Sequence, residues 1–414
     1  MTAHERPAFG TRVAELRRRR GLTQSELALA IGRTASWVSQ VERGIQPVNR
    51  LDVLRLLADG LDVALNVLQP EAPDATGSDG VPAAQARNDL DQARLVMSGH
   101  PALDVVLGHR PTAHGDEPLD GLRGDVDRLW TLTHSGRFAE LSRALAPLVP
   151  RLERVSRTAS REERAEAFGL LARTYQALAS AFVRQNQADA AWVAADRAIR
   201  AAEMAGDELG VFVGVFRLVH VFVRLRHLDQ AEHTAATAIN ALAPQAESNA
   251  ADTEELSVLG SLHLALALVH ARSGQRAAAR EQIARARAVA DRVGDGRNDF
   301  NLEFGPVNVE IQAVSTAVEL GDAGEALDIA GTVDTSGLSA ERQARMLMDV
   351  GRAHAQRRQL GDALASLLEA ESVAPEIIRH HMVARDVVKE LLLMAGRGAS
   401  PELRALADRL DAMT

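Results

Sequence analysis

Cysteine is missing from this 414-residue chain, lysine occurs once, at Lys389, and tyrosine occurs once. Without cysteine there is no disulfide, no thiolate metal site and no thiol nucleophile. No apolar run approaches the roughly 18 residues that a membrane-spanning helix needs, and the first residues lack the hydrophobic segment of a secretory signal. Neither a glycine-rich phosphate loop nor a His-Glu-x-x-His pair is present, so nucleotide hydrolysis and zinc proteolysis lack their signatures. Three histidines, His100, His109 and His114, fall in a Pro- and Gly-rich stretch at spacings that suit no compact metal motif, and a solvated loop is expected there. The adjacent pair His380 and His381 would point about 100° apart on a helix, which rarely lets both bind one ion. The expectation is a soluble, cytoplasmic protein that is not an enzyme. It has no catalytic residue, no metal, no cofactor and no membrane among its partners.

What is present favours helix. Ala, Leu, Arg and Val dominate, while aromatic residues make up 3% of the chain. Arginine in place of lysine, with so much alanine, suggests a high-GC genome. The length exceeds one ordinary domain. The formal net charge is −9, unevenly spread. Residues 1–70 hold ten Arg against seven Asp plus Glu, about +3, which leaves about −12 for the remainder. Four of those arginines are the run Arg17–Arg20. A local positive patch, not the global sum, governs attraction to phosphate.

The stretch Gly21–Gly44 reads as two short helices joined by a tight turn. Thr23 and Glu26 form a capping box, Leu27, Ala28 and Ile31 recur on one face, and Gly32 ends the helix. Thr34 caps a second helix in which Val38 and Val41 face inward and Ala35, Ser36, Ser39 and Gln40 face out. A further helix before it, over about Phe9–Arg20, and two after it, over about Asn49–Asp59 and beyond Asp62, complete a small core. Residues 1–8 are expected to be an arm. GLTQ, ELA, Gly32, VSQVERG and the Leu51–Leu61 run resemble the lambda-repressor-like (Cro/XRE) DNA-binding domain over about Phe9–Leu68.

That resemblance implies roles for particular residues. Ala35, Ser36 and Gln40 become the base-facing candidates. Gln40 is able to bond adenine bidentately, and Ala35 to offer its methyl to thymine. Gln24, Arg33, Thr34, Arg43, Asn49 and Arg50 become phosphate contacts. Trp37 either lies against the sugar-phosphate backbone or packs on the fourth helix. Arg17 and Glu42 occupy the family's buried ion-pair positions. Double-stranded DNA is the implied partner, bound as a homodimer on a near-palindromic site.

Residues 70–84 have no hydrophobic periodicity and are rich in Pro, Gly, Asp and Ser, so they read as a flexible linker between a 9–69 domain and an 85–414 domain. A short helix is expected over Ala86–Val96. From about Leu119 the chain repeats itself. GRFAEL at Gly136, NQADAA at Asn186, RHLDQA at Arg226, GQRAAA at Gly274, GDAGEA at Gly321 and RQLGDA at Arg358 each mark a helix that ends, turns and restarts, about 37–50 residues apart. A small residue follows most turns, at Ala191, Ala231, Ala279, Ala326 and Ala363. A second stands seven further on at Ala198, Ala238, Ala286 and Ala370, and Gly351 is the small residue of the last repeat's first helix. Leu141 departs from this pattern in the first repeat. This is the signature of a helical-hairpin solenoid, and it resembles tetratricopeptide repeats. Ile377–Met394 and Pro401–Met413 are expected to cap its end. The fold class is therefore all-α: a five-helix lambda-repressor-like domain followed by a tetratricopeptide-like α-solenoid.

With each turn as a ruler, the inward positions of the first helices include Arg173, Gln176, Val213, Phe216, His220, Ser261, Leu264, Asn308, Ile311, Arg345, Met348 and Arg352. Arginine and amide side chains among apolar ones suit a peptide or an anionic small molecule. Gly294–Asn308 breaks the repeat rhythm with polar residues around Phe300, Phe304 and Pro306. Its Arg297, Asn298, Phe304 and Asn308 join the ligand candidates, though a loop that merely seals two repeats fits equally well. As a whole the chain is similar to XRE-type regulators with tetratricopeptide-like sensors, of actinobacterial type, and distantly to the peptide-sensing RRNPP regulators. The expected function is a ligand-sensing transcriptional regulator. The alternative is an interaction scaffold whose solenoid grips a partner protein while the DNA-binding domain only localises it.

Overall fold

The computed structural model describes residues 5–31, 33–45, 48, 51–61, 63, 65–68, 88–100, 103, 119–246, 251–336 and 338–412. Gly32, Asn49, Arg50, His109, His114, the side chain of His380 and the 70–84 stretch lie outside the described residues. Among the described residues every regular element is a helix.

The first five helices are α1 (Glu5–Arg19), α2 (Gln24–Ala30), α3 (Ala35–Glu42), α4 (Leu51–Leu61) and α5 (Leu65–Leu68). The first begins at Glu5, ahead of the expected Phe9, because Pro7 falls in the first turn, where its missing N–H breaks no helical bond. Both capping features are formed. The Thr23 hydroxyl accepts from the Glu26 amide at 3.2 Å, and the Glu26 carboxylate accepts from the Thr23 amide at 2.7 Å. Thr34 likewise accepts from the Trp37 amide at 3.2 Å. These bonds satisfy N–H groups that a helix start leaves unpaired. Leu27, Val38, Val41, Leu57 and Leu61 fill the centre and are almost wholly buried. The α1–α3 crossing is close: a Cβ on Gly10 would lie 2.5 Å from the carbonyl oxygens of Val41 and Glu42, so only glycine fits.

A short helix, α6 (Asp91–Met97), replaces the expected Ala86–Val96 helix and buries Ala93 and Met97 in the first repeats. Six helical hairpins follow. Their first helices are α7 (Leu119–His134), α9 (Arg161–Arg184), α11 (Glu208–Leu225), α13 (Thr253–Arg272), α15 (Pro306–Leu320) and α17 (Ala340–Gln356). Their second helices are α8 (Phe138–Thr158), α10 (Ala188–Ala205), α12 (Leu228–Ala246), α14 (Arg276–Val293), α16 (Ala323–Ala330) and α18 (Leu360–Val373). Each first helix packs on the next first helix, which makes an inner layer.

The six turns share one geometry. Gly136, Asn186, Arg226, Gly274, Gly321 and Arg358 all have positive φ, between 56° and 81°. At each, the turn residue's amide donates to the carbonyl three back, and the next amide donates to the carbonyl five back. At Arg226 these bonds are 3.3 Å to Val223 and 2.9 Å to Phe222. This is the Schellman arrangement, which satisfies orphan carbonyls and reverses the chain in two residues. The alanines that follow are buried. Ala191, Ala231, Ala279, Ala326 and Ala363 are each 0% exposed, as is Leu141 in their place in the first hairpin. Small side chains there let the two helices of a hairpin approach.

The carboxy-terminal cap differs from the expected pair of helices. The first is broken at His381 into α19 (Pro375–His380) and α20 (Met382–Ala395), and α21 (Pro401–Arg409) follows. His381 leaves the helical region (φ −85°, ψ 120°), and its ring nitrogen accepts from the Val383 amide at 3.2 Å, capping the new helix. The array also curls further than an open groove. A Cβ on Gly136, in the first turn, would lie 3.1 Å from Cγ1 of Ile377 in α19. Arg184 of α9 reaches Glu341 of α17 at 2.7 Å.

The turn geometry makes a test. A non-glycine residue in the left-handed region costs roughly 1–2 kcal/mol, partly offset by the 0.5–1 kcal/mol entropic cost of glycine. Arg226→Gly is therefore expected to hold or raise stability by up to about 1 kcal/mol. Gly274→Val should lower it by about 1–3 kcal/mol. Urea unfolding midpoints at constant slope measure both.

Candidate DNA interface and effector chamber

The outward face of α3 is set by a polar network at its far end. The Arg17 guanidinium donates to both Glu42 oxygens, at 2.5 and 3.0 Å, and to the Leu22 carbonyl at 2.7 Å. Gln24 Nε2 donates to the same carboxylate at 2.7 Å. Both ion-pair side chains are nearly buried, at 10% and 6% exposure. Burial would raise the Glu42 pKa, but the bonds from Arg17 and Gln24 outweigh it and hold the carboxyl below its usual range. Helices α1, α2 and α3 are thus pinned at one point, by the pair expected at Arg17 and Glu42.

The other DNA-side candidates divide by what they touch. Ser36 and Thr34 are exposed, and Ala35 and Gln40 are partly buried on the same outer face. Gln24 is engaged by Glu42. Arg43 is exposed, with its Nε donating to the Ser39 carbonyl at 3.1 Å. Trp37 packs against the domain core, with the Arg33 guanidinium 5.5 Å above its ring, which favours the packing role between the two expected for it. Helix α4 also rests on α20 of the array. A space between them is lined by Ile31, Arg33 and Leu56 on one side and Met382, Asp386 and Glu390 on the other.

Within the array, the curl bounds a partly open chamber of about 230 Å³. Of the sequence candidates, Phe216, His220, Ser261, Leu264, Asn308, Arg345, Met348 and Arg352 line it. The others do not. Arg173 pairs with Asp127 outside it. Gln176 is buried and ties α9 to α11 through the Gly210 carbonyl at 3.2 Å. Arg297 is held by Asp299, whose other contact is the Ser257 hydroxyl at 2.7 Å. Asn298 accepts from the Glu303 amide at 3.0 Å. Phe304 is core: a Cβ on Gly260 would fall 2.0 Å from its ring. The loop does reach the chamber, but through Asn301, Leu302 and Glu303. To do so it holds Phe300, Asn301 and Glu303 at φ of 50–55°, a strained geometry for non-glycine residues.

The chamber's charges went largely unread in the sequence. Position two before each turn residue is His134, Arg184, Arg224, Arg272, Glu319 and Gln356, and the first five of these line the chamber. Position six before is Trp130, Ser180, His220, Leu268, Ser315 and Arg352, all of which line it. The periodic signal is therefore present in the sequence: eight of the twelve positions counted inward line the chamber, and the rung two residues before the turns adds charged residues which that count leaves out. Six arginines line the chamber (184, 217, 224, 272, 345 and 352) against four carboxylates, Glu303, Glu319, Glu341 and Asp349. Arg352 takes Glu319 at 2.9 Å and Asp349 at 3.0 Å. Arg272 lies 3.5 Å from Glu319. Arg217 donates to the Asn301 carbonyl at 3.1 Å and stacks between Trp130 and Phe216. Burial, with Arg184 nearby, pushes its pKa down to about 9.

Burial also lowers the histidines here, His220 to about 3 with Arg217 next in effect, and His381 well below its usual value. Both are neutral in the folded chain. The unfolded chain takes up their protons below about pH 6.5, so stability should fall as pH drops from 6.5 to 5. His220→Asn should flatten that slope in thermal melts. At the other site, Glu42→Ala strands the Arg17 charge and should cost about 3–5 kcal/mol. Circular dichroism melts should show that loss in the amino-terminal helices.

Residues 8–69 match the family model described as a helix-turn-helix domain. No curated protein matches the chain. Among solved structures, Bacillus thuringiensis PlcR in complex with the peptide PapR7 and DNA is similar at 13% identity and a TM-score of 0.38. The match covers 85% of this chain and 98% of that one. The matched helix-turn-helix domain is followed in this chain by the helical hairpins described above.

Proposed function

We propose that the chain is a sequence-specific transcriptional regulator that binds a near-palindromic operator as a homodimer, and that its array senses a small-molecule or peptide effector in the chamber. The observation that carries this reading is the Arg17–Glu42–Gln24 network, which orients α3 so that Ala35, Ser36 and Gln40 share its outer face. Such a helix enters the major groove with its first residues against base edges. Arg33, Thr34, Arg43, Asn49 and Arg50 hold phosphates in this reading, and Gln24 joins them beside its bond to Glu42. The working division is 9–69 for DNA, 70–84 as linker and 85–414 for sensing and pairing.

Coupling runs through α20. Val383, near its start, lines the chamber, and Asp386 and Glu390, one and two turns on, face the space beside Arg33. An effector that moves the start of α20 changes how the DNA-binding domain is held, provided its affinity differs between the two arrangements. The scaffold alternative needs an open inner groove for a partner polypeptide, whereas the Arg184–Glu341 pair spans that face.

One domain covers about half a turn of DNA, so two copies on one site are required for affinity. Binding should weaken steeply with salt, and Gln40→Ala should cost about 1–3 kcal/mol at its own base pair while relaxing preference there. Fluorescence anisotropy on operator and scrambled duplexes measures this. Equal affinity for the chain's own promoter and for random DNA would overturn the regulator reading.

A further inference from the structure

Two arginines of the chamber wall have no carboxylate. Arg217 and Arg224 both belong to α11, two helical turns apart, with His220 between them on the same face. Arg217 reaches only a backbone carbonyl, and its buried Nε has no acceptor. Among the described residues Arg224 makes no hydrogen bond and no ion pair. It stands between Arg184 and Arg272, which occupy the same rung, two residues before the turn, on the helices either side. Arg184 is met by Glu341 and Arg272 by Glu319, and Glu319 is shared with Arg352. The middle arginine of the ladder has no carboxylate in hydrogen-bond or ion-pair contact, and Glu319 acts on it only at longer range. Arg224 is only partly buried, so in the free chain its guanidinium is hydrated and open to an incoming anion, which a charge-assisted bond would favour over water.

The space limits what can enter. The chamber itself, at about 230 Å³, is smaller than the ~300–1,000 Å³ typical of sites for drug-sized ligands, and Arg224, Arg272 and Arg352 also border the larger space beside α4 and α20. The lining carries six arginines against four carboxylates, an excess of two positive charges.

We propose that the chamber is the seat of a compact dianion, a small dicarboxylate or phosphate monoester, held by Arg224 at one end and Arg217 at the other. This deepens the effector reading and rests on it for biological meaning. The site itself does not depend on the chain's binding DNA. A charge-assisted bond from Arg224 to an incoming carboxylate or phosphoryl oxygen replaces a partner that the fold does not supply. The neutral His220 offers a further polar contact between the two cations.

The test is isothermal titration calorimetry on the full chain at fixed ionic strength, without DNA, using succinate, glycerol 3-phosphate and inorganic phosphate. Succinamide serves as the uncharged control. At least one dianion is expected to bind with a Kd below about 1 mM, and succinamide is not. Which dianion binds separates the carboxylate source from the phosphate source. Arg224→Gln should weaken binding about tenfold or more, whereas Arg200→Gln, in an exposed pair on α10, should leave it unchanged. Arg224→Gln should also keep or raise the ligand-free melting temperature, since it removes a cation that nothing in the fold pairs. Arg352→Gln should lower it.

The proposal is overturned by any of three results. The first is that no dianion binds. The second is that Arg224→Gln binds as wild type does. The third is that the chain takes a pentapeptide pool and none of the dianions. Dianion binding by a chain that shows no promoter preference would sink the regulator reading and leave the site standing. Promoter preference with no dianion binding would do the reverse.

Discussion

The array depends on a backbone conformation more than on any side-chain contact. At six points the chain enters the left-handed region, closes two carbonyls with two amides and starts back along itself. The direction of every second helix follows from that reversal, and the rung on which each inner residue sits is counted from it. Three of the six positions are glycine, where the conformation is nearly free. Asn186, Arg226 and Arg358 adopt it at a cost, which the packing of the buried alanines after the turns must offset.

The same counting explains how much could be read from the sequence. The turns, the small residues and the helix-turn-helix caps are local, so composition and spacing were enough to place them. Arg17 and Glu42 were legible through resemblance, and the structure pairs them. The curl of the array was not legible. It is the sum of many small rotations between hairpins, none of which has a residue signature. The concave face was therefore expected as a groove, and Arg173, Gln176, Arg297 and Asn298 were placed in it. With the array closed, those four fall at its outside or between helices, while Phe216, His220, Ser261, Leu264, Asn308, Arg345, Met348 and Arg352 converge on the chamber with the side chains nearest the turns. The 294–308 loop was half legible. Its break in rhythm marked it as special, but which of its residues point inward depends on three left-handed backbone angles.

The two ends of the molecule use arginine differently. In the amino-terminal helices Arg17 is neutralised, and its task is to fix an orientation. In the chamber, Arg224 is not neutralised, and its pKa is pushed down to about 10 by burial and then by Arg272, so it stays charged at neutral pH in surroundings that resist the charge. A paired cation holds structure together. An unpaired one stores unfavourable electrostatic energy that a suitable ligand relieves, and relief of that kind biases one arrangement of a protein over another. Helix α20 lies where such a bias would be felt by the DNA-binding domain, because one end lines the chamber and its side carries α4.

The contact of the Gly136 turn with Ile377 also bears on how the chain folds. A linear repeat array can nucleate anywhere, extend by neighbours and fray from either end. Here the first turn and the last cap touch, so a contact of very long sequence separation must form after the hairpins between have stacked. Long separation slows closure much more than it weakens the closed state. The array should then assemble quickly as an open arc and shut in a later, slower step. Once it is shut, neither end is loose, and the outermost hairpins are protected from fraying by each other.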